Sequence, residues 1–349
     1  SKFPKSSRFG FFPSVSAGWQ IAQERFMNST RHWLDGLKLR ASYGVIGNQN
    51  INPYTFTPSM SVNNKATSWI IDDTYVTSIS SLPALVSQNF TWEKVGTINV
   101  GLDVNLFNNR LSGVFEWYQR NTNGMLAPGV QLPAVVGASA PYQNTADMRT
   151  RGWELSLNWR DQIGKVGYRI GFNLSDYKSE IIKYDDNAAT KLLSSYYPGQ
   201  TLGEIWGYVV DGYYTVDDFV DTSSWQLKEG VTSINGYNVR PGDVKFKNLR
   251  DDDTSTNVIT SGDNTFDNPG DRKVIGNTTP RYQYGINLGM NYAGFDLNVI
   301  LQGTGKRDYW ISNVLTFPMN GDNFVPLFEG LSDYWMPKDP DNGDWSAVN

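Results

Sequence analysis

Between Thr97 and Leu106 every second residue is apolar: Ile98, Val100, Leu102, Val104 and Leu106 alternate with Thr97, Asn99, Gly101, Asp103 and Asn105. The same period recurs at Trp153, Leu155, Leu157 and Trp159 against Glu154, Ser156, Asn158 and Arg160. It appears again at Tyr282, Tyr284, Ile286, Leu288, Met290 and Tyr292 against Gln283, Gly285, Asn287, Gly289 and Asn291. Successive side chains of a β-strand leave on opposite faces, so each segment has one apolar face and one wet face. A helix repeats its face every 3 to 4 residues, roughly, and cannot turn this pattern into a single stripe.

Reading on at this period predicts eight strands, near 11 to 22, 37 to 46, 91 to 106, 110 to 120, 151 to 160, 166 to 177, 281 to 292 and 295 to 303. The connections then alternate in length. They are short at Asn108-Asn109-Arg110, at Asp161 to Lys165 and at Ala293-Gly294, moderate at 23 to 36, and long at 47 to 90, 121 to 150, 178 to 280 and from 304 onward. Short turns on one side and long loops on the other are the mark of an outer-membrane barrel. The fold class expected is therefore all-β: an antiparallel transmembrane β-barrel with long extracellular loops, the even positions from Ile98 to Leu106 facing lipid. Trp159, Tyr168, Tyr292 and Phe295 flank the short turns where an interfacial girdle would sit. A soluble extracellular β-sandwich binding module is the alternative, and it would show alternation without the sided bias in loop length.

Composition agrees with strands and turns: aromatic residues make up 14% of the chain, charged residues 19%, and there are 33 glycines. No run of about 18 apolar residues is present, so no transmembrane helix is predicted, and none is needed by a barrel. The chain has no cysteine, which removes thiolate metal sites, disulfides and thiol nucleophiles. Its net charge of -5 comes without a Lys/Arg cluster, so nucleic acid is not an expected partner. The single histidine, His32, lies in Asn28-Ser29-Thr30-Arg31-His32-Trp33 with no second His or Cys for a metal or a triad. Adjacent acids such as Asp72-Asp73, Asp185-Asp186 and Asp217-Asp218 read as solvated loop residues, and no enzyme is expected.

Several strings, in order along the chain, resemble signatures of the SusC/RagA family of TonB-dependent transporters. They are Phe11-Phe12-Pro13-Ser14-Val15-Ser16-Ala17-Gly18-Trp19, Leu37-Lys38-Leu39-Arg40-Ala41-Ser42-Tyr43-Gly44 with Gly47-Asn48-Gln49, and Thr91-Trp92-Glu93-Lys94. Further on come Leu106-Phe107-Asn108-Asn109-Arg110-Leu111-Ser112-Gly113, Arg151-Gly152-Trp153-Glu154-Leu155, Pro241-Gly242-Asp243, and Val274-Ile275-Gly276-Asn277 leading to Tyr284-Gly285. The resemblance implies a plugged barrel of about 22 strands, of which residues 1–349 form one part of about eight strands with the 178 to 280 segment as a large extracellular insertion. It places the plug domain and the final strands outside this chain. It also implies import of oligosaccharides or peptides beneath a SusD-like surface lipoprotein, powered by the TonB system through an N-terminal part not contained here. A passive porin or structural barrel would share every strand argument and is the second functional reading.

Two candidate sites stand out. The long loop carries Tyr196, Tyr197, Trp206, Tyr208, Tyr213, Tyr214 and Trp225, whose faces suit sugar rings or a partner protein and equally suit a small core of the loop's own. Asp251, Asp252, Asp253, Asp263, Asp267 and Asp271 concentrate hard oxygen ligands of the kind Ca²⁺ prefers, without the spacing of a known calcium loop. Asp339, Asp341, Asn342 and Asp344 form a weaker version.

Overall fold

The structure is a computed structural model that describes residues 2–51, 57–60, 91–250 and 257–311, with short stretches between 62 and 87 and between 337 and 347. The chain divides into two compact units. The first comprises residues 1–190, 195–202 and 280–306, the second residues 191–194, 203–279 and 307–349.

The first unit is one eight-stranded sheet with its strands in chain order. They are β1 (Ser14–Gln20), β2 (Leu34–Asn48), β3 (Glu93–Leu106), β4 (Leu111–Pro128), β5 (Tyr142–Ile163), β6 (Val166–Tyr184), β7 (Arg281–Tyr292) and β8 (Phe295–Lys306). Every neighbouring pair is antiparallel.

Register carries the period of two across the whole sheet. Trp19, Leu39, Leu102, Phe115, Leu155, Leu174 and Tyr284 stand opposite one another in one transverse row. The adjacent row on the other face reads Gly18, Arg40, Gly101, Glu116, Glu154, Ser175 and Gln283. A slip of one residue in any pair would mix the two rows. Among the described residues nothing in this unit covers the apolar face: Trp19, Leu39, Ile98, Val100, Phe115, Trp117, Leu288 and Leu297 are all exposed. A β-sandwich buries such a face against a second sheet, whereas a barrel presents it to hydrocarbon.

The turns explain why the hairpins close so tightly at one end. Phe107, Asn108 and Asn109 have φ of 58°, 57° and 59°, in the left-handed region that asparagine tolerates better than most residues. Ala293 and Gly294 have φ of 49° and 89°, the positive pair that a two-residue hairpin of matching twist requires. Trp159 and Tyr168 meet beside the 164–165 turn, the indole Nε1 donating to the tyrosine hydroxyl at 3.2 Å, and Tyr292 stands opposite Phe295. These four aromatics thus line the short-turn rim.

The strands depart from expectation at the other rim. β4, β5 and β6 run on to Pro128, back to Tyr142 and on to Tyr184, so the connection expected at 121 to 150 shrinks to 129–141. The first seven residues expected in the 178 to 280 loop belong to β6. Above the apolar belt both faces of a strand meet water, so the hydropathy alternation that reveals a strand fades while the backbone pairing continues. β1 is the reverse case, shorter than the predicted 11 to 22.

Placing a charge in the apolar row should be costly and placing one in the polar row should not. Leu102→Arg should lower the stability of folding into lipid vesicles by about 2 to 4 kcal/mol. Ser156→Arg, on the other face, should leave it within about 0.5 kcal/mol. Equal losses at both positions would contradict the assignment of faces.

Candidate functional site

The polar face is a surface of fixed hydrogen-bonding groups. Arg40 on β2 donates through Nε to both carboxylate oxygens of Asp103 on β3, at 3.1 and 3.2 Å, and through Nη2 to Glu116 on β4. Gly101, which register places between Arg40 and Glu116, makes this reach feasible: a Cβ there would stand 2.7 Å from the guanidinium carbon. Glu154 on β5 stands opposite Glu116, so the patch holds three carboxylates around one arginine. Towards the short-turn rim, Arg160 and Arg169 face one another across β5 and β6, and Arg169 Nη2 donates to Asn298 Oδ1 on β8. Asn158, Asn173, Asn287, Asn291 and Gln302 fill the rows between. Such a face offers donors and acceptors to polar solutes over its whole height.

The seven aromatic candidates do not form one cluster of exposed rings. Tyr196 and Tyr197 belong to the sheet unit and the other five to the second unit. Tyr197 is only 1% exposed and serves as core, while Tyr196 remains half exposed, its ring meeting Tyr184 edge-on at 5.8 Å. In the second unit Tyr214 is fully buried with Phe219 and Val239, and Trp225, Leu227, Val231 and Ile234 pack around them. Tyr214 donates its hydroxyl to the Thr232 carbonyl at 2.6 Å. Trp206 donates to Glu204 and meets Phe266 edge-on at 6.3 Å, and Tyr208 lies 5.3 Å from Phe246. Tyr213 alone of the five is strongly exposed, at 59%, and Tyr237, which sequence reading missed, is more so at 74%. Two short strands follow the Tyr196–Tyr197 pair in sequence, Glu204–Gly207 pairing with Lys273–Asn277 and Val210–Tyr213 with Val244–Phe246.

One ion pair fastens this small core. Thr215 caps the short helix Val216–Asp218, its backbone amide donating to Asp218 Oδ2 at 2.8 Å while the Lys245 ammonium approaches Oδ1 at 3.0 Å. Burial opposes ionisation of Asp218, but the Thr215 amide and the Lys245 ammonium outweigh it and hold the carboxyl below its ordinary range. Burial pushes the Tyr214 phenol up.

The acidic run is used internally where the structure describes it. Asp271, 3% exposed, accepts from the backbone amides of Leu249, Arg250 and Thr260. Asp267 faces Lys191 at 3.6 Å and Asp263 accepts from Asn268. Asp251, Asp252 and Asp253 lie outside the described residues. Among the described residues no group of three acidic, His or Cys side chains could hold a metal ion. Of the acidic residues singled out, Asp263, Asp267 and Asp271 thus make loop-stapling contacts. His32 has its Nδ1 3.0 Å from the Ser29 carbonyl, in a local turn contact.

Residues 1–336 match the family described as TonB dependent receptor-like, beta-barrel. The chain belongs to that family. TonB-dependent receptor P3 of Formosa agariphila is 29% identical over 322 residues, covering 87% of this chain and 29% of the relative. TonB-dependent receptor SusC of Bacteroides thetaiotaomicron is 33% identical over 186 residues, covering 52% of this chain and 18% of the relative. The RagAB peptide importer in its open-open state has the same fold, with a TM-score of 0.64 at 23% identity over 87% of this chain and 29% of that one. The chain spans less than a third of the length of these relatives. As part of a TonB-dependent receptor barrel, the sheet lies in the outer membrane and crosses it with strands. The relatives are receptors rather than enzymes.

In this receptor barrel the Asp218 contact gives a pH signature. A carboxyl whose folded pKa is depressed contributes stability above its unfolded pKa, and that contribution is lost as pH falls through the folded value. Protease resistance of residues 209–246 should therefore hold from neutral pH to about pH 4 and decline below it. Asp218→Asn should weaken resistance at neutral pH and flatten the decline; a profile identical to the unsubstituted protein would contradict the role given to the pair.

Proposed function

We propose that this chain forms part of the wall and outer mouth of an active importer that carries large polar nutrients, oligosaccharides or peptides, across the outer membrane. The observation that carries the reading is the continuous polar face, from Gly18 and Arg40 to Gln283, in a chain of the TonB-dependent-receptor family. A face rich in Asn, Gln and paired charges suits a hydrated solute that exchanges hydrogen bonds as it moves, and does not suit an apolar one. Coupling to the TonB system and partnership with a SusD-like surface lipoprotein belong to the same proposal, supported by family membership and by likeness to SusC and to the RagAB peptide importer. A passive porin is the lesser reading, because family membership favours the energy-coupled one.

The long connections, in this reading, face the cell exterior. The second unit then supplies a docking surface around Tyr213, Tyr237, Val210 and Val220, all strongly exposed. Rigid aromatic side chains with polar tips are enriched at protein interfaces, and a stable complex with the lipoprotein would bury about 1,200 Å² or more. Removing residues 217–240 would take Phe219 and Val239 out of the core, so point substitutions test the surface better.

In the full-length protein, Tyr213→Ser with Tyr237→Ser should reduce lipoprotein co-purification and nutrient uptake together while barrel insertion is unchanged. Undiminished co-purification would remove the docking role. These 349 residues contain no cysteine, so single cysteines introduced here report orientation once any cysteine elsewhere in the full-length protein is replaced. One at Glu229 should react with an impermeant reagent on intact cells and one at Asn108 should not; the opposite result would reverse the topology.

A further inference from the structure

The alternation that builds the wall continues past the apolar belt, and at the long-connection rim it gathers basic side chains that form no ion pair on the lipid-facing side. β5 presents Trp159, Leu157, Leu155 and Trp153 on that face, followed by Arg151 and Arg149. β6 presents Tyr168, Ile170, Phe172 and Leu174, followed by Asp176, Lys178 and Glu180. Register sets these side by side: Lys178 opposite Arg151, Arg151 opposite Gln119, Glu180 opposite Arg149, and Arg149 opposite Asn121. Opposed residues share a face, with Cβ atoms about 5 Å apart.

The two guanidinium groups are held by neutral partners. Arg149 Nε donates to Asn121 Oδ1 at 3.1 Å, and Arg151 Nε donates to Gln119 Oε1 at 2.8 Å. The amides orient each guanidinium without forming an ion pair with it. Among the described residues neither arginine forms an ion pair, and neither does Lys178, which is exposed. The nearby acids are otherwise engaged or distant: Asp176 is buried and bound by Arg281, Asp147 accepts from the Gly124 amide, and Glu180 does not close to ion-pair distance on Arg149. At the opposite rim the corresponding arginine, Arg110, is paired with Asp161 at 3.2 Å.

The level of the cluster decides what it meets. Trp153 stands opposite Trp117 and stacks on Phe115, with ring centroids 6.4 Å apart. Such aromatics sit at the hydrocarbon boundary, and Arg151 lies two residues beyond, about 7 Å further along the strand, at headgroup height.

We propose that Arg149, Arg151 and Lys178 bind the phosphate groups of an outer-leaflet glycolipid whose acyl chains lie on the face formed by Trp117, Trp153 and Leu174. The guanidinium forks match phosphate oxygens in geometry and charge, and the apolar face directly below suits the same molecule's chains. Free phosphate would gain nothing from that lower face. A soluble protein would have to enter the headgroup layer to reach the cluster. The proposal rests on the orientation given above, with the long connections outside.

The test uses the full-length receptor purified in mild detergent, with bound lipid identified by native mass spectrometry. The unsubstituted protein should retain phosphorylated glycolipid, and Arg149→Gln, Arg151→Gln and Lys178→Gln should each lower retention about fivefold. The triple variant should retain no more than background, and Arg110→Gln should retain it fully. Added lipid A should rebind to the unsubstituted protein only when phosphorylated, and inorganic phosphate should not displace it. Equal retention by the triple variant, rebinding of dephosphorylated lipid A, displacement by inorganic phosphate, or retention of phospholipid in place of glycolipid would each overturn the proposal. Should the triple variant fail to insert, Lys178→Gln alone decides, since that side chain is exposed at the sheet surface. Labelling at Glu229 reads orientation separately, so a reversed topology and an absent lipid site give different results.

Discussion

Everything in the first unit depends on contact between one face of the sheet and hydrocarbon. The row from Trp19 through Leu102 and Leu155 to Tyr284 is apolar across seven strands, and among the described residues nothing in this unit covers it. In water such a face would drive aggregation; in a bilayer it is matched to its solvent, and the backbone ladders satisfy the polar groups that lipid cannot. The sheet edges at β1 and β8 carry the same requirement, since an unpaired edge in hydrocarbon costs several kcal/mol per unsatisfied group, at a rough estimate. Among the described residues those edges are the two ends of the strand order.

Fixing one face fixes the other. Once Leu39 and Leu102 are outward, Arg40 and Asp103 have to face the lumen, and the absence of a side chain at Gly101 allows Arg40 to span from Asp103 to Glu116. The lumen chemistry is therefore a by-product of the register that serves the membrane. The same coupling extends upward, where Arg149, Arg151 and Lys178 inherit the direction of Trp153 and Leu174.

The sequence was most readable where the environment differs most between faces. From Ile98 to Leu106 lipid meets one side and water the other, and composition alternates accordingly. It was least readable where both sides are wet: the extensions of β4, β5 and β6 towards Pro128, Tyr142 and Tyr184 read as loop, because no hydropathy contrast marks a strand there. In the second unit the aromatic residues were visible and their division of labour was not. Tyr213 and Tyr214 are neighbours in sequence, yet one is exposed and the other fully buried against Phe219 and Val239. That difference arises from contacts across residues 214 to 245, which local pattern does not encode. The acidic run misled for a similar reason, since Asp271 spends its lone pairs on three backbone amides that only the folded loop brings to it. The basic rim could have been found by counting the alternation two steps beyond Trp153 and Leu174.

The central claim, that one face of this sheet lies in hydrocarbon and the other lines a watery lumen, can be read directly along β3. These 349 residues contain no cysteine, so once any cysteine elsewhere is replaced, nitroxide labels can be placed one at a time from position 98 to 106 in the full-length protein in bilayers. Relaxation by oxygen, which concentrates in lipid, should peak at positions 98, 100, 102, 104 and 106, and relaxation by a water-soluble nickel complex should peak at 99, 101, 103 and 105. Accessibility to the nickel complex at both sets of positions, or to neither reagent at the even ones, would contradict the account.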